Sequence, residues 1–276
     1  MMASLSQLFF AKPATVPPEY QACQDFDKKL KAITKCKKGK YLPDESCPEE
    51  IDKQRQMLDA TAISMKLKFG EVDMCERIRY CYECRHFKPD RSRHCSSCGF
   101  CVLKFDHHCP YVNACINFGN YKYFLNYIFY GSCFWLLAII GEVYAVLIFF
   151  VNLDSTKQDG FANITQLFFA LSIQFIPGKR VLLDLLQYHM SLVNCNETTC
   201  EQGKPPIFKG NNSTATYNTS VHQNRMSALG WGLWMFPVKT ELLDGLHYPI
   251  FYTDASPGPK MVLRPTFKGG IRSDEL

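Results

Sequence analysis

The sequence lacks the features that mark several common classes of protein. Its charge bias is small, because 31 Lys and Arg against 26 Asp and Glu give a formal net charge of +5, far from the strongly basic balance of nucleic-acid-binding domains. Its first ten residues have no basic stretch and only a short apolar run, so they do not predict a secretory signal. Its mean hydropathy is slightly negative, which excludes a chain made mostly of membrane-spanning segments.

Apolar runs of membrane-spanning length are also missing from the first 123 residues. From Phe124 to Gly141 the chain then carries no charge, and after Glu142 the apolar run resumes through Val151. About 20 residues are enough to cross a bilayer core of about 30 Å, so this stretch predicts a transmembrane helix. The basic excess before the helix predicts that the N-terminal side lies in the cytosol.

A second apolar stretch, from 161 to 193, is irregular. Asn, Thr and Gln occur within it, and Gly178-Lys179-Arg180 interrupts it, so it predicts a weaker second span. The predicted organisation is a cytosolic N-terminal arm (1–76), a cysteine-rich domain (77–122), a transmembrane helix (123–151), a lumenal loop (152–160), a second, irregular transmembrane segment (161–193) and a cytosolic C-terminal region (194–276).

Half of the 14 cysteines lie in one short segment, between Cys81 and Cys115, together with several histidines. A secreted disulfide scaffold would spread paired cysteines along the chain, whereas this clustering indicates metal binding in a reducing compartment. Residues 81–120 also contain little aliphatic surface. A bound metal must therefore supply the folding free energy that a hydrophobic core would otherwise provide.

The spacing of these residues fits two zinc sites. A C-x2-C pair offers two sulfurs to one ion, and the segment has two such pairs. His94 and Cys95 are adjacent, so in an extended backbone their side chains diverge and serve different ions. This favours an interleaved allocation, with Cys81, Cys84, His94 and Cys101 in the first site and Cys95, Cys98, His108 and Cys115 in the second.

The allocation leaves Asp106, His107 and Cys109 outside both zinc sites. A cysteine close to a free histidine, with a carboxylate beside that histidine, supplies the parts of an activated thiolate: the imidazole takes the thiol proton and the carboxylate fixes its tautomer. The other interpretation is that these residues are spare ligands, because a metal cluster can carry surplus Cys and His. The residue chemistry alone leaves both interpretations open.

A family resemblance is carried by the segments Lys88-Pro89-Asp90-Arg91, His94-Cys95, Cys98, Cys101-Val102-Leu103-Lys104, Asp106-His107-His108-Cys109-Pro110 and Val112-Asn113. These segments resemble the cysteine-rich domain of the DHHC protein S-acyltransferases, also called palmitoyltransferases. Farther along, Thr198-Thr199-Cys200-Glu201 is similar to the T-T-x-E motif of that family, and Asn218 and Asn224 are more loosely similar to its C-terminal motif.

The resemblance implies a mainly α-helical integral membrane protein with a small zinc-stabilised cysteine-rich domain, built of short β-hairpins and loops, on the cytosolic side. It implies two structural Zn²⁺ ions, and palmitoyl-CoA or another long-chain acyl-CoA as the acyl donor. Cys109 would attack the thioester and carry the acyl group in a two-step, ping-pong transfer. His107 would be the general base, Asp106 would orient it, and Thr199 would lie near Asp106.

The expected partners are acyl-CoA, membrane-associated substrate proteins with cytosolic cysteines, and the lipid bilayer, without nucleic acid. The resemblance does not single out which basic residues bind the CoA phosphates. We expect a multi-pass protein of an endomembrane, in the Golgi or the endoplasmic reticulum rather than the plasma membrane, with its active site facing the cytosol.

The sequence departs from the family pattern in three places. Tyr111 stands where the family usually has Trp, and Ala114-Cys115-Ile116-Asn117 stands where it has Asn-Cys-Val-Gly. The family usually has two transmembrane helices before the cysteine-rich domain, whereas here Leu8-Phe9-Phe10 followed by Pro17-Pro18 resembles only the end of the second. We therefore expect a chain that lacks the first two helices, with 1–76 as the remnant. The alternative function is a catalytically inactive or truncated zinc-scaffolded membrane adaptor of the same family.

Overall fold

The computed structural model describes residues 2–34, 36–37, 40–41, 48–151, 179–210, 215–230, 234–238, 243–252 and 260–262. Its helices are α1 (Met2–Phe10), α2 (Gln24–Ala32), α3 (Pro48–Ser64), α4 (Tyr121–Val151), α5 (Leu185–Cys195), α6 (Thr199–Gly203) and α7 (Val221–Leu229). A 3-10 turn covers Pro18–Tyr20, and a π-helical segment, Lys179–Asp184, leads into α5.

The strands are short and form small antiparallel sheets. They are β1 (Cys36–Lys37), β2 (Lys40–Tyr41), β3 (Glu71–Val72), β4 (Tyr80–Cys81), β5 (His86–Phe87), β6 (Arg93–Cys95), β7 (Phe100–Val102), β8 (His107–Cys109), β9 (Ala114–Ile116), β10 (Ile207–Phe208), β11 (Ala215–Thr216), β12 (Ile250–Tyr252) and β13 (Lys260–Val262). Three consecutive hairpins, β4–β5, β6–β7 and β8–β9, make up the cysteine-rich domain. The prediction of short β-hairpins in this domain is confirmed.

The apolar run after the hairpins forms α4. Its residues Tyr121–Ile148 are long and apolar enough to cross a membrane, and within the described ranges no other helix meets that test. Large apolar side chains such as Leu137, Ile140 and Tyr144 are exposed along it, which suits a helix surrounded by lipid. This one helix supports the prediction of an integral membrane protein in part.

The second predicted span is only partly described. The loop at 152–160 and residues 161–178 lie outside the described residues. The described end of the segment begins with a π-helical turn at Lys179–Asp184, which includes the last two residues of the predicted interruption, and continues as α5 to Cys195. A π-helical turn accommodates an irregular sequence inside a longer helix.

The N-terminal helices pack against the first hairpin. Phe26 and Leu30 of α2 and Leu58 of α3 are buried in one cluster with Tyr80 and Phe87 of β4–β5. Ring centroids of Phe26 and Phe87 lie 5.7 Å apart. Residues of the predicted N-terminal arm therefore share one buried cluster with the first hairpin.

Two asparagines join the third hairpin to α4. The side-chain amides of Asn117 and Asn120 both donate to the backbone oxygen of Cys115, at 2.8 and 2.9 Å. The backbone oxygen of Asn117 accepts from the amide of Tyr121, which starts the helix. Asn117, one of the departures from the family pattern, is fully buried and fixes the foot of α4 to the zinc-ligand hairpin.

Candidate functional site

The three hairpins explain how the zinc ligands come together. In β6–β7 His94 lies directly opposite Cys101, and in β8–β9 His108 lies directly opposite Cys115. Successive side chains of a strand point to opposite faces, so His94 faces one cluster while Cys95 faces the other. Each cluster therefore combines the C-x2-C turn of one hairpin with the His/Cys pair of the next hairpin.

The first cluster is formed by Cys81, Cys84, His94 and Cys101, whose ligand atoms all lie within 4.8 Å of one another. The sulfurs of Cys81, Cys84 and Cys101 lie 3.5, 3.3 and 3.8 Å from Nδ1 of His94. The residues are those of the predicted interleaved allocation.

The second cluster is formed by Cys95, Cys98, His108 and Cys115. Here the three sulfurs lie 3.6, 3.4 and 3.8 Å from Nδ1 of His108. A tetrahedral zinc with Zn–S of about 2.3 Å and Zn–N of about 2.0 Å places sulfur and nitrogen about 3.5 Å apart. Both clusters fit that geometry and donor set, so they are consistent with two zinc sites.

The hairpins also repeat in sequence. Cys81, Cys95 and Cys109 follow each other at intervals of 14 residues, and each ends a strand in the same register, opposite His86, Phe100 and Ala114. The turns repeat as well, because Arg85, Gly99 and Asn113, at the same interval, all have positive φ. Cys109 thus holds the position at which the other two hairpins place the first cysteine of a zinc-binding turn.

The third hairpin lacks the second cysteine that the first two hairpins share. Where the first two hairpins have Cys84 and Cys98, the third has Val112. Cys109 belongs to neither cluster, and both it and Val112 are buried. They share an apolar cluster with Leu8 of α1, Phe124 of α4 and other residues, which are Ile116, Tyr121, Leu125, Ile128, Val193 and Leu229.

The two residues predicted as an acid–base pair, Asp106 and His107, are in contact and lie close to Cys109 in sequence. Nδ1 of His107 lies 2.7 Å from Oδ2 of Asp106. The ring of His107 packs edge-on to Phe124, with centroids 5.4 Å apart, and lies 6.0 Å from the ring of His189. His189 is itself buried, and its Nδ1 lies 3.2 Å from the hydroxyl of Tyr121. These aromatic contacts limit how the His107 ring can rotate.

Thr199 supplies the next set of contacts to Asp106. Its backbone amide donates to Oδ1 and its hydroxyl to Oδ2, both at 2.9 Å. Burial by itself would raise the pKa of Asp106, but the hydrogen bonds from His107 and from the Thr199 amide outweigh burial and hold the pKa below its ordinary value. The carboxylate is therefore ionised and fixed at neutral pH.

The T-T-x-E segment is a capping box. Thr198 caps α6, its side chain accepts from the amide of Glu201, and the Glu201 carboxylate accepts from the amide of Thr198. The first Thr thus starts the helix, and the second presents its amide and hydroxyl to Asp106. A short helix of five residues is marginal alone, so the capping box is needed to hold this geometry.

Glu201 also binds Arg91 of the cysteine-rich domain. Nε and Nη2 of Arg91 donate to the two carboxylate oxygens at 2.8 and 2.6 Å. Nη2 and Nη1 also donate to the backbone and side-chain oxygens of Asn196, at 2.7 and 2.9 Å. The Arg91 side chain is 0% exposed, and its guanidinium lies 4.7 Å from the ring centroid of Tyr217.

Sequence reasoning missed part of this arrangement. Arg91 was noted only as part of the family resemblance, and Glu201 only as part of a motif. Their separation of 110 residues leaves no local signal of contact. His189 was missed for the same reason. The repeat at 14-residue intervals was missed as well, although the Cys and His positions alone carry that signal.

The known proteins that are similar to this chain are palmitoyltransferases. A family model described as DHHC palmitoyltransferase matches residues 74–205. The chain is 37% identical over 253 residues to the palmitoyltransferase spe-10 of Caenorhabditis elegans, covering 92% of this chain and 71% of that protein. It is 34% identical to the palmitoyltransferase ZDHHC15 of Xenopus laevis over 199 residues, covering 71% of this chain.

The palmitoyltransferase ZDHHC2 of Homo sapiens is 33% identical over 186 residues, or 67% of this chain. The match covers a smaller share of the two vertebrate proteins than of spe-10. This chain spans 57% of the Xenopus protein and 49% of the human one.

Proposed function

This chain belongs to the DHHC palmitoyltransferase family, and we propose that it transfers a long-chain acyl group, typically palmitoyl, from acyl-CoA to cysteines of substrate proteins. Cys109 carries the acyl group between the two steps. The observation that carries the proposal is the ordered set of contacts from Thr199 to Asp106 to His107, immediately before a buried cysteine that no zinc cluster uses.

The hydrogen bond between Nδ1 of His107 and Asp106 selects the tautomer in which Nδ1 carries the proton. Nε2 then has a free lone pair and accepts the proton of the Cys109 thiol. The sulfur attacks the thioester carbon of acyl-CoA, the bond from that carbon to the CoA sulfur breaks, and the proton returns to the CoA sulfur. In the second step the sulfur of a substrate cysteine attacks the acyl carbon, and the bond from that carbon to the Cys109 sulfur breaks. The proton of the substrate thiol passes through His107 to the Cys109 sulfur, which regenerates the thiol.

The apolar surroundings of Cys109 suit this chemistry. Leu8, Val112 and Phe124 share its buried cluster at the foot of α4, where a long acyl chain finds apolar contacts. The Asp106 side chain is 1% exposed and that of His107 is 28% exposed, so the carboxylate is shielded from water while the imidazole stays accessible. Cys109 itself is buried, which limits hydrolysis of a thioester formed on its sulfur.

The two Cys/His clusters hold two structural Zn²⁺ ions, with all four ligands of each site coming from the protein. Such closed sites supply folding free energy and leave no coordination position for a substrate. Their contribution to catalysis is positional, because His108 is both a ligand and the residue between His107 and Cys109.

The protein works as an integral membrane protein of an endomembrane, in the Golgi or the endoplasmic reticulum, with the site facing the cytosol. The position of the cysteine-rich domain directly before α4 supports the attachment to a membrane, since the site then meets the membrane surface. Its partners are acyl-CoA, the bilayer and membrane-associated proteins with cytosolic cysteines. The sequon at Asn218-Thr219-Ser220 then stays unglycosylated, whereas a glycan on Asn218 contradicts the topology.

Labelled palmitoyl-CoA tests the function. The purified full chain should take up label in a hydroxylamine-sensitive bond, and Cys109→Ser should abolish it. Cys195→Ser, which removes an exposed cysteine at the end of α5, is the matched control and should keep the label. Label that persists in Cys109→Ser, with zinc content unchanged, contradicts the role of Cys109. The adaptor alternative predicts no acyl-enzyme in any variant, and no contact among the described residues favours it.

A further inference from the structure

The third hairpin presents Cys109 as the first two hairpins present zinc ligands. Cys81, Cys95 and Cys109 end equivalent strands in the same antiparallel register. In the first two hairpins the chain turns after the cysteine, and the backbone oxygens of Cys81 and Cys95 accept from the amides of Arg85 and Gly99, both at 2.8 Å. The third hairpin shares their register and the positive φ at Asn113, so its thiol takes the place of a first metal ligand.

A soft metal ion competes with the acyl group for such a thiol, because thiolate is both the preferred zinc ligand and the nucleophile. In the first two hairpins the second sulfur of the turn comes from Cys84 or Cys98, three residues after the first. Together the two sulfurs chelate one ion. In the third hairpin this position is Val112, which has no donor atom.

Val112 is also placed to shield the sulfur. Its side chain is 8% exposed and belongs to the same apolar cluster as Cys109, with Leu8 and Phe124. The position that would otherwise complete a chelate thus supplies apolar surface, which favours an acyl chain and disfavours an ion. A lone thiolate is a weak ligand next to two closed sites that already hold three sulfurs each.

We propose that Val112 is a specificity-determining residue, which keeps Cys109 from acting as the first sulfur of a third metal-binding turn and so reserves the thiol for the acyl group. The proposal rests on Cys109 being the acyl carrier. It identifies the substitution that converts the nucleophile into a ligand: a donor side chain at position 112.

The test compares Val112→Cys with Val112→Ala in the purified full chain, kept reduced and titrated with Cd²⁺, which prefers thiolate ligands. Because Cd²⁺ also replaces Zn²⁺ in the resident sites, the measured quantity is zinc plus cadmium per chain. Val112→Cys should hold about one metal more than Val112→Ala. It should also develop additional cadmium–thiolate absorption, and adding Cys109→Ser to the same chain should remove both gains.

Acyl-enzyme formation gives the second measurement. In Val112→Cys it should fall at least tenfold when Cd²⁺ is added and recover when a chelator removes the extra ion, whereas Val112→Ala should respond no more than the unmodified chain. Val112→His repeats the comparison with an imidazole donor, in case the cysteine variant loses its resident zinc. Equal metal content and equal Cd²⁺ sensitivity for both donor variants and Val112→Ala overturn the proposal.

The two hypotheses fail differently. If the unmodified chain forms no acyl-enzyme, the proposed function is wrong, but the metal count of Val112→Cys still reports whether the third hairpin can bind an ion. If the chain acylates normally and the donor variants bind no extra metal, only the role of Val112 is wrong.

Discussion

The guanidinium of Arg91 and the carboxylate of Glu201 form a bidentate ion pair although 110 residues separate them. Burial would raise the pKa of Glu201, but the charge and hydrogen bonds of Arg91, together with the hydrogen bond from the Thr198 amide, outweigh that effect and hold the pKa below its ordinary value. The pair joins the cysteine-rich domain to α6, the helix that carries Thr199. Through it, a residue outside the reacting groups fixes the position of Asp106 and hence of His107.

Arg91→Lys should therefore slow formation of the acyl-enzyme and lower the thermal midpoint. A lysine makes one hydrogen bond at a time to the carboxylate and leaves Asn196 without its guanidinium donors. Losing one partner of a buried ion pair costs about 3–5 kcal/mol, and we expect part of that loss here. Arg93→Lys is the matched control, since that half-buried side chain makes one long hydrogen bond within the described ranges, 3.5 Å to the backbone oxygen of Lys204. Equal effects of both substitutions would argue against the positioning role.

Thr199→Val tests the hydrogen bond between the Thr199 hydroxyl and Asp106. Valine keeps the shape of the side chain and the backbone amide bond to the carboxylate, so only the hydroxyl contact is lost. A hydrogen bond to a charged group contributes about 1.5–3 kcal/mol, which corresponds to a rate of self-acylation lower by about tenfold or more. Thr61→Val, which removes a hydroxyl contact to Met57 within α3, should leave the rate unchanged. An unchanged rate of self-acylation in Thr199→Val would contradict the role of the Thr199 hydroxyl in holding Asp106.

Cys98→Ser should remove one metal ion from each chain. The sulfur of Cys98 lies 3.4 Å from Nδ1 of His108 and 3.3 Å from the sulfur of Cys115, so its loss opens the second cluster. Zinc content should fall from two to about one per chain, and acylation should be lost because His108 is no longer anchored. Cys23→Ser is the control, since Cys23 only caps α2 and serine is a good replacement there. Retention of two zinc ions in Cys98→Ser would contradict the allocation.

Lys104 gives the protein a pH-dependent stability. Burial, and then the charge of Arg91, lower its pKa from 10.5 to about 7. Between these two values the unfolded chain binds more protons than the folded chain, so this residue makes stability rise with pH across that window. Lys104→Met should be more stable than the unmodified chain at pH 7, and the difference in thermal midpoint should shrink towards pH 10. Exposed Lys53→Met should show no such trend; a constant difference for Lys104→Met would contradict the prediction.

The features that could be predicted from sequence are local ones. The zinc clusters follow from cysteine spacing and from the alternation of side chains along a strand, which separates His94 from Cys95. The membrane helix follows from an uncharged run, and its start at Tyr121 differs from the predicted 123 because Asn117 provides the first backbone acceptor. The contact of Arg91 with Glu201 depends on how distant segments pack, so no spacing or periodicity in the sequence predicts it.

The contact between Asp106 and Thr199 has a consequence for synthesis. Each zinc cluster closes within a few dozen residues of chain, whereas Thr199 leaves the ribosome 93 residues after Asp106, once α4 has been made. The nascent protein therefore completes its metal-binding hairpins well before the orienting carboxylate has its partners. The contact between Asp106 and Thr199 forms last, when the chain that follows α4 has folded back onto the cysteine-rich domain.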